Sequence, residues 1–312
     1  MAAHTQLKQS DIREIAGHYG LIVAESEPIN GGNGNSSFLL TTPQGKYVLT
    51  VCDDKTLDEV VIMGRLLLLL KECNFPCTRV VPAVNRDIIT MYVNKPVMLK
   101  VYIEGQVVES LNQGMLSQVG MATARLNQIP SPDYLPDEHP YGIQLFSRVF
   151  GLNIDEKYES WLAKQFDVLE QNIPLNLPRG LIHGDLFYDN LLFEQGKLNA
   201  IIDFEETCHY YKVFDLGMAI IGSCVDGSAV NLDKARALVN GYQQVKPLEK
   251  IEKETLQMFV QYAATATSYW RFDKYNIDTP NADKADHHWQ MVHLAEQIKC
   301  IPTTEFYDRI FN

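Results

Sequence analysis

The octapeptide His183-Gly184-Asp185-Leu186-Phe187-Tyr188-Asp189-Asn190 is framed by short apolar runs that leave it little freedom. Leu181-Ile182 leads in, Asn190-Leu191-Leu192-Phe193 reads as a strand, Gln195-Gly196 as a turn, and Leu198-Asn199-Ala200-Ile201-Ile202 as the returning strand. The result is a loop feeding a hairpin, with Asp203 at the end of the second strand. Folding that hairpin gathers Asp185, Asn190 and Asp203 although they span 19 positions. Taken singly, the first two are ordinary turn residues and the third an ordinary strand end. As a set at this spacing they form a candidate site.

Each residue type has a chemical reason to be there. A carboxylate on a tight loop, Asp185, can take the proton from a substrate hydroxyl as phosphorus is attacked. Asn190 offers a neutral oxygen and Asp203 an anionic one, a donor pair suited to Mg²⁺ against a nucleotide's phosphates. The pattern points to phosphoryl transfer onto a substrate hydroxyl. His183 reads as a brace for the loop through hydrogen bonds before it reads as a carrier of protons. Asp215, in Phe214-Asp215-Leu216-Gly217, reads either as a helix N-cap or as a carboxylate holding the loop's N–H groups.

Charge narrows the partners. With 27 Lys and Arg against 39 Asp and Glu, the formal charge is −12. That balance argues against a nucleic-acid binder, which needs a basic face, and an acidic protein must handle phosphates with metal ions and a few local cations. Met1-Ala2-Ala3-His4-Thr5-Gln6 has neither a basic segment nor an apolar core, and the longest wholly apolar run is Leu66 to Leu70. A cytoplasmic protein with no membrane partner is expected. The six cysteines are scattered, and the Cys73/Cys77 spacing lacks a matching second pair, so zinc is not expected.

At 312 residues, two lobes are expected, an α+β chain with strands first and helices after. A helix is expected over 10–19, capped by Ser10 or Asp11, then a hairpin within 28–50. The glycine-rich stretch through Gly32, Asn33, Gly34, Asn35, Ser36 and Ser37 enters that hairpin, either as a phosphate cover of backbone N–H groups and hydroxyls or as a plain turn. Thr56-Leu57-Asp58-Glu59 starts a helix with a capping box. Strands are expected near 80–84, 88–91 and 97–103, and Gly105 is a candidate hinge, giving lobes of residues 1–104 and 105–312. Helices follow near 111–128, 156–171, 214–224, 231–243 and 252–274, with a loop marked by Pro130, Pro132, Pro136 and Pro140.

These motifs resemble the aminoglycoside phosphotransferase and choline kinase superfamily. His183-Gly184-Asp185 to Asn190, Ile202-Asp203-Phe204 and Phe214-Asp215-Leu216 match its signatures in order, and with Tyr47-Val48-Leu49-Thr50 they look most like the branch that includes type II homoserine kinases. The resemblance implies a protein-kinase-like bilobal fold with a small β-rich N-lobe. It also implies Asp185 as base, Asn190 and Asp203 as Mg²⁺ ligands, ATP as donor, and homoserine as the leading acceptor, with aminoglycosides, choline and hydroxylysine as alternatives. A non-catalytic nucleotide binder is the remaining alternative. Kinases of this fold usually place a Lys on the third strand where this chain has Thr50. Lys46 or Lys100 is the candidate substitute.

An acceptor pocket is expected after Asp203. Glu205 and Glu206 suit an ammonium group, or are solvated loop carboxylates. Arg271 suits a carboxylate through bidentate pairing, or pairs with an acidic neighbour on its helix.

Overall fold

A computed structural model describes residues 5–29 and 35–312. The expected cover residues Gly32, Asn33 and Gly34 lie outside the described residues.

The chain clusters into two compact units, one of residues 1–105 with Asn199–Ile202, the other of 106–198 with 203–312. The first unit is built on alternation. In β2 (Asn35–Thr42) every second residue is buried, and Pro43-Gln44 turns it into β3 (Gly45–Cys52). With β1 (Glu25–Ile29), β4 (Arg79–Val80), β5 (Thr90–Tyr92) and β6 (Lys95–Val101), they form an antiparallel sheet of order β1-β2-β3-β6-β4, with β5 also on β6.

Because side chains alternate across a sheet, register assigns its faces. Phe38, Leu49 and Leu99 align across β2, β3 and β6, and they share a buried cluster with Ile12, Ile15 and Ala16 of helix α1 (Gln9–Gly17). Ser37, Thr50 and Met98 align on the opposite face, where the Met98 Cε approaches Gly64 of helix α2 (Leu57–Glu72). Glu59 closes the α2 capping box: Thr56 N–H donates to its Oε2 at 2.7 Å, and Glu59 N–H donates to Thr56 Oγ1 at 3.4 Å.

Two local expectations change. Helix α1 begins at Gln9, with Asp11 accepting from Lys8 N–H at 2.8 Å, so the residue at the cap is Lys8. The strand expected over 80–84 is only Arg79–Val80, since Pro82 has no N–H to extend a ladder.

The second unit is helical. It contains α3 (Gln113–Gln128), α4 (Glu156–Asn172), α5 (Lys212–Ser223), α6 (Leu232–Val245), α7 (Lys250–Phe272), α8 (His288–Cys300) and α9 (Thr303–Phe311). Helices α3 and α6 pack backbone to backbone: a Cβ on Gly120 would strike Leu238 O and Tyr242 N, and one on Gly241 would strike Ser117 O. Strand β7 (Arg179–Ile182) runs into the motif loop and pairs with β10 (Cys208–Tyr211), while β8 (Leu191–Glu194) and β9 (Lys197–Ile201) make the hairpin. No helix among the described residues is long and apolar enough to cross a membrane.

Candidate active site

The motif loop is suspended from a buried carboxylate. Asp215, fully buried in the first turn of α5, accepts from His183 N–H and Gly184 N–H at 2.9 Å each, and from Asn127 Nδ2 on α3 at 3.2 Å. Burial pushes its carboxyl up to about 6 against the hydrogen bonds from Gly184, His183 and Asn127. Asn127 also donates to Leu181 O at 3.0 Å and accepts from Tyr242 O–H at 3.0 Å, so strand β7, its exit loop and α5 share one polar node. His183, itself buried, accepts the Asp185 N–H on Nδ1 at 3.2 Å. Gly184 holds φ +87°, and a Cβ there would lie 2.6 Å from Glu206 O, so only glycine fits.

Held this way, the Asp185 side chain is pinned at both oxygens. Tyr141 O–H donates to Oδ1 at 3.2 Å, and Asn190 Nδ2 donates to Oδ2 at 3.2 Å and to the Asp185 carbonyl at 2.7 Å. Burial, reinforced by the nearby carboxylates of Asp203 and Asp189, pushes the Asp185 carboxyl up to about 7 despite those two hydrogen bonds.

Asn190 spends its amide nitrogen on Asp185, which leaves Oδ1 without a hydrogen bond among the described residues. Asp203 is exposed, accepts no hydrogen bond among the described residues, and sits in the left-handed region at φ +64°. That conformation costs about 1–3 kcal/mol in a non-glycine residue. Two oxygens are therefore left uncommitted beside Asp185. Among the described residues no cluster of three His, Cys, Asp or Glu side chains forms a closed metal cage. This donor set fits Mg²⁺, which takes few protein ligands and completes its shell with phosphate and water oxygens.

Of the expected substrate residues, Arg271 is half-buried on α7. Its Nη1 donates to Gln290 Oε1 at 2.8 Å and His287 O at 3.2 Å. Nε and Nη2 carry no hydrogen bond among the described residues. Burial lowers its pKa, and the Tyr275 and Asp185 charges act in the opposite sense, so the guanidinium lies within the field of the loop carboxylate. Glu205 and Glu206 are both half-buried, and Glu206 adds to the field on Tyr141.

The first unit's candidates divide by face. Ser36 Oγ donates to Asp53 Oδ2 at 2.5 Å on the α1 face, where Lys95 Nζ and Thr5 Oγ1 also reach Asp53 at 2.5 Å. Its hydroxyl is thus committed to a structural cluster. Ser37 lies on the other face within 3.3 Å of Thr50 Oγ1. Lys100, opposite Val48 and two residues beyond Met98, shares that face, and its ammonium has no hydrogen bond or ion pair among the described residues. Lys46 instead pairs with Glu104 at 3.5 Å. Asn35 opens β2 opposite Cys52.

Sequence reasoning missed Asn127, His139, Tyr141 and Tyr242. The two loop residues, His139 and Tyr141, lie in the proline-marked segment, where no hydrophobic period points to a packing partner.

Solved structures share this architecture. A spectinomycin phosphotransferase in complex with ADP and spectinomycin superposes with TM-score 0.68 at 15% identity, covering 98% of each chain. A microcompartment-associated aminopropanol kinase superposes with TM-score 0.73 at 18% identity, covering 96% of this chain and 99% of its own. The fold is the α+β, protein-kinase-like fold that the motifs led us to expect. The profile of the phosphotransferase enzyme family matches residues 25–248, and the chain belongs to that family. Among its curated relatives, the homoserine kinase of Bartonella henselae is 27% identical over 281 residues, covering 85% of this chain and 86% of that protein. The homoserine kinase of a Chelativorans species is 29% identical over 275 residues, covering 85% of each.

Proposed function

We propose that the protein transfers the γ-phosphoryl group of ATP to the side-chain hydroxyl of homoserine, in a Mg²⁺-dependent reaction. The observation that carries the reading is the Asp185 carboxylate, pinned at both oxygens beside the uncommitted oxygens of Asn190 and Asp203. Support for this acceptor comes from the relatives named homoserine kinase, which match over 85% of the chain, and from Arg271, whose free Nε and Nη2 suit an amino acid's carboxylate.

In this reading Asp185 accepts the hydroxyl proton, and a carboxyl raised toward 7 is a better base than an ordinary aspartate. Asn190 and Asp203 hold Mg²⁺, which when bound neutralises charge on the transferring phosphates. Asp215 and His183 hold the N–H groups of His183, Gly184 and Asp185, so the backbone that carries the base is preorganised. Arg271 and the Glu205-Glu206 pair orient the zwitterion. Within residues 1–104, Ser37 and Lys100 on the Thr50 face, together with the Gly32 to Asn35 stretch, are the assigned nucleotide contacts. Residues 105–312 carry catalysis and substrate. The reading brings with it a cytoplasmic location, where ATP and amino acids are at hand.

The test is ADP release in a coupled assay across homoserine, hydroxylysine, choline, aminopropanol and an aminoglycoside. Homoserine is expected to give the highest kcat/KM. No turnover of homoserine alongside turnover of another acceptor would remove the substrate and keep the chemistry.

A further inference from the structure

The proline-marked loop delivers two buried side chains to the motif loop. Tyr141 is 5% exposed and His139 fully buried. Tyr141 O–H lies 3.2 Å from Asp185 Oδ1 and also 3.2 Å from Gly184 O. It has one proton and two acceptors; the anionic carboxylate is the stronger of the two, and the carbonyl competes less when another donor already serves it.

His139 satisfies it. The Tyr141 backbone N–H donates to His139 Nδ1 at 3.4 Å, which makes Nδ1 the acceptor nitrogen and leaves the hydrogen on Nε2. That Nε2 lies 3.1 Å from Gly184 O and donates to it. Burial lowers the imidazole to about 3, so the ring is neutral and this tautomer persists at every working pH. The rings meet edge-on with centroids 4.2 Å apart, and Phe214 packs against His139 at 4.7 Å, which fixes both groups. With the carbonyl occupied by imidazole, the phenol is free to donate to the carboxylate.

The structure assigns Tyr141 as a positioning residue for Asp185: its hydroxyl, directed by His139, fixes the carboxylate's rotation from the Oδ1 side as Asn190 does from Oδ2. This rests on Asp185 being the base. Each oxygen keeps a lone pair, so the acceptor's proton still finds a site. What Tyr141 removes is rotation about the side-chain bond, which matters for rate and not for binding ATP.

The experiment measures kcat and KM for both substrates in Tyr141→Phe, His139→Gln, His139→Leu and the control Asp185→Asn. Tyr141→Phe is expected to lower kcat about tenfold, a fraction of the ~10²–10⁴ that a general base contributes, with both KM values within twofold of wild type. His139→Gln keeps an N–H donor for Gly184 O and retains most of kcat. His139→Leu frees that carbonyl to capture the phenol proton and lowers kcat severalfold. A Tyr141→Phe kcat within twofold of wild type, or equal losses in the Gln and Leu variants, overturns the assignment. If Asp185→Asn keeps its turnover, the base reading itself fails, an outcome distinct from the other two. Should Tyr141→Phe not fold, the His139 pair decides the matter alone.

Discussion

The loop from His183 to Asn190 and the sheet face carrying Thr50 both present polar groups suited to phosphoryl transfer, yet they are held by opposite means. In the loop the groups around the reacting carboxylate are committed: Asp215 takes two backbone N–H groups, His183 a third, and Asp185 is bonded at both oxygens. On the sheet face Ser37 meets Thr50 at 3.3 Å and the Lys100 ammonium has no partner among the described residues. The charged cluster of that unit, Asp53 with Lys95, Ser36 and Thr5, sits on the other face. A reacting carboxylate must be fixed to a fraction of an ångström. A cation near phosphates needs only to be close, because Coulomb attraction falls slowly with distance. Over-determination marks the first task and interchangeability the second, so in the proposed reading a cation elsewhere on that face, such as Lys100, can serve the phosphates although Thr50 carries no charge.

Asp185→Asn offers the largest test. Turnover is expected to fall by at least ~10²-fold with nucleotide affinity unchanged, read as ADP release and as calorimetric ATP binding. Retained turnover would mean that the tightly held loop is not where the proton goes. Asp215→Ala comes next. It strands two buried N–H groups, and each costs about 1–3 kcal/mol, so urea denaturation is expected to show a loss of about 3 kcal/mol along with lower kcat. A variant as stable as wild type would show that the loop holds itself.

On the sheet side the effects are smaller. Lys100→Met is expected to raise the KM for ATP about tenfold, the worth of one hydrogen bond to a charged group, with kcat nearly unchanged. An unaltered KM would hand the phosphate contact to another cation. The smallest effect concerns Asp53. Burial pushes its carboxyl up, but bonds from Lys95, Ser36 and Thr5 outweigh it and hold the group below the usual carboxylate range. A depressed carboxylate stabilises the fold above its unfolded pKa, and that contribution is lost as pH falls through the lower folded value. The stability gap between wild type and Asp53→Asn, about 1–2 kcal/mol at pH 7, is therefore expected to close as pH falls through the lowered folded value, below the usual carboxylate range. A gap independent of pH would assign the cluster's worth to shape and not to charge.

The loop was legible because its information is local. Apolar runs on either side of His183–Asn190, a Gln195-Gly196 turn and the placement of Asp203 are statements about neighbouring backbone, and chain spacing encodes those directly. The same locality made β2, β3 and the α2 capping box readable. It failed at Pro82, where a missing N–H cuts a strand that side-chain pattern extends, and at α8 and α9, two helices that lie beyond the last one expected from the sequence.

The sequence by itself determined the kind of chemistry, through three oxygen-bearing side chains at one spacing, and the order of sheet before helices. Tertiary structure alone decided which groups hold them. Asn127 reaches Asp215 across 88 positions and Tyr141 reaches Asp185 across 44, and the pleat turned Ser36 toward Asp53 while leaving Ser37 beside Thr50. Backbone periodicity fixes neighbours a few residues apart, whereas contacts at such separations exist only once packing has set the distance between elements.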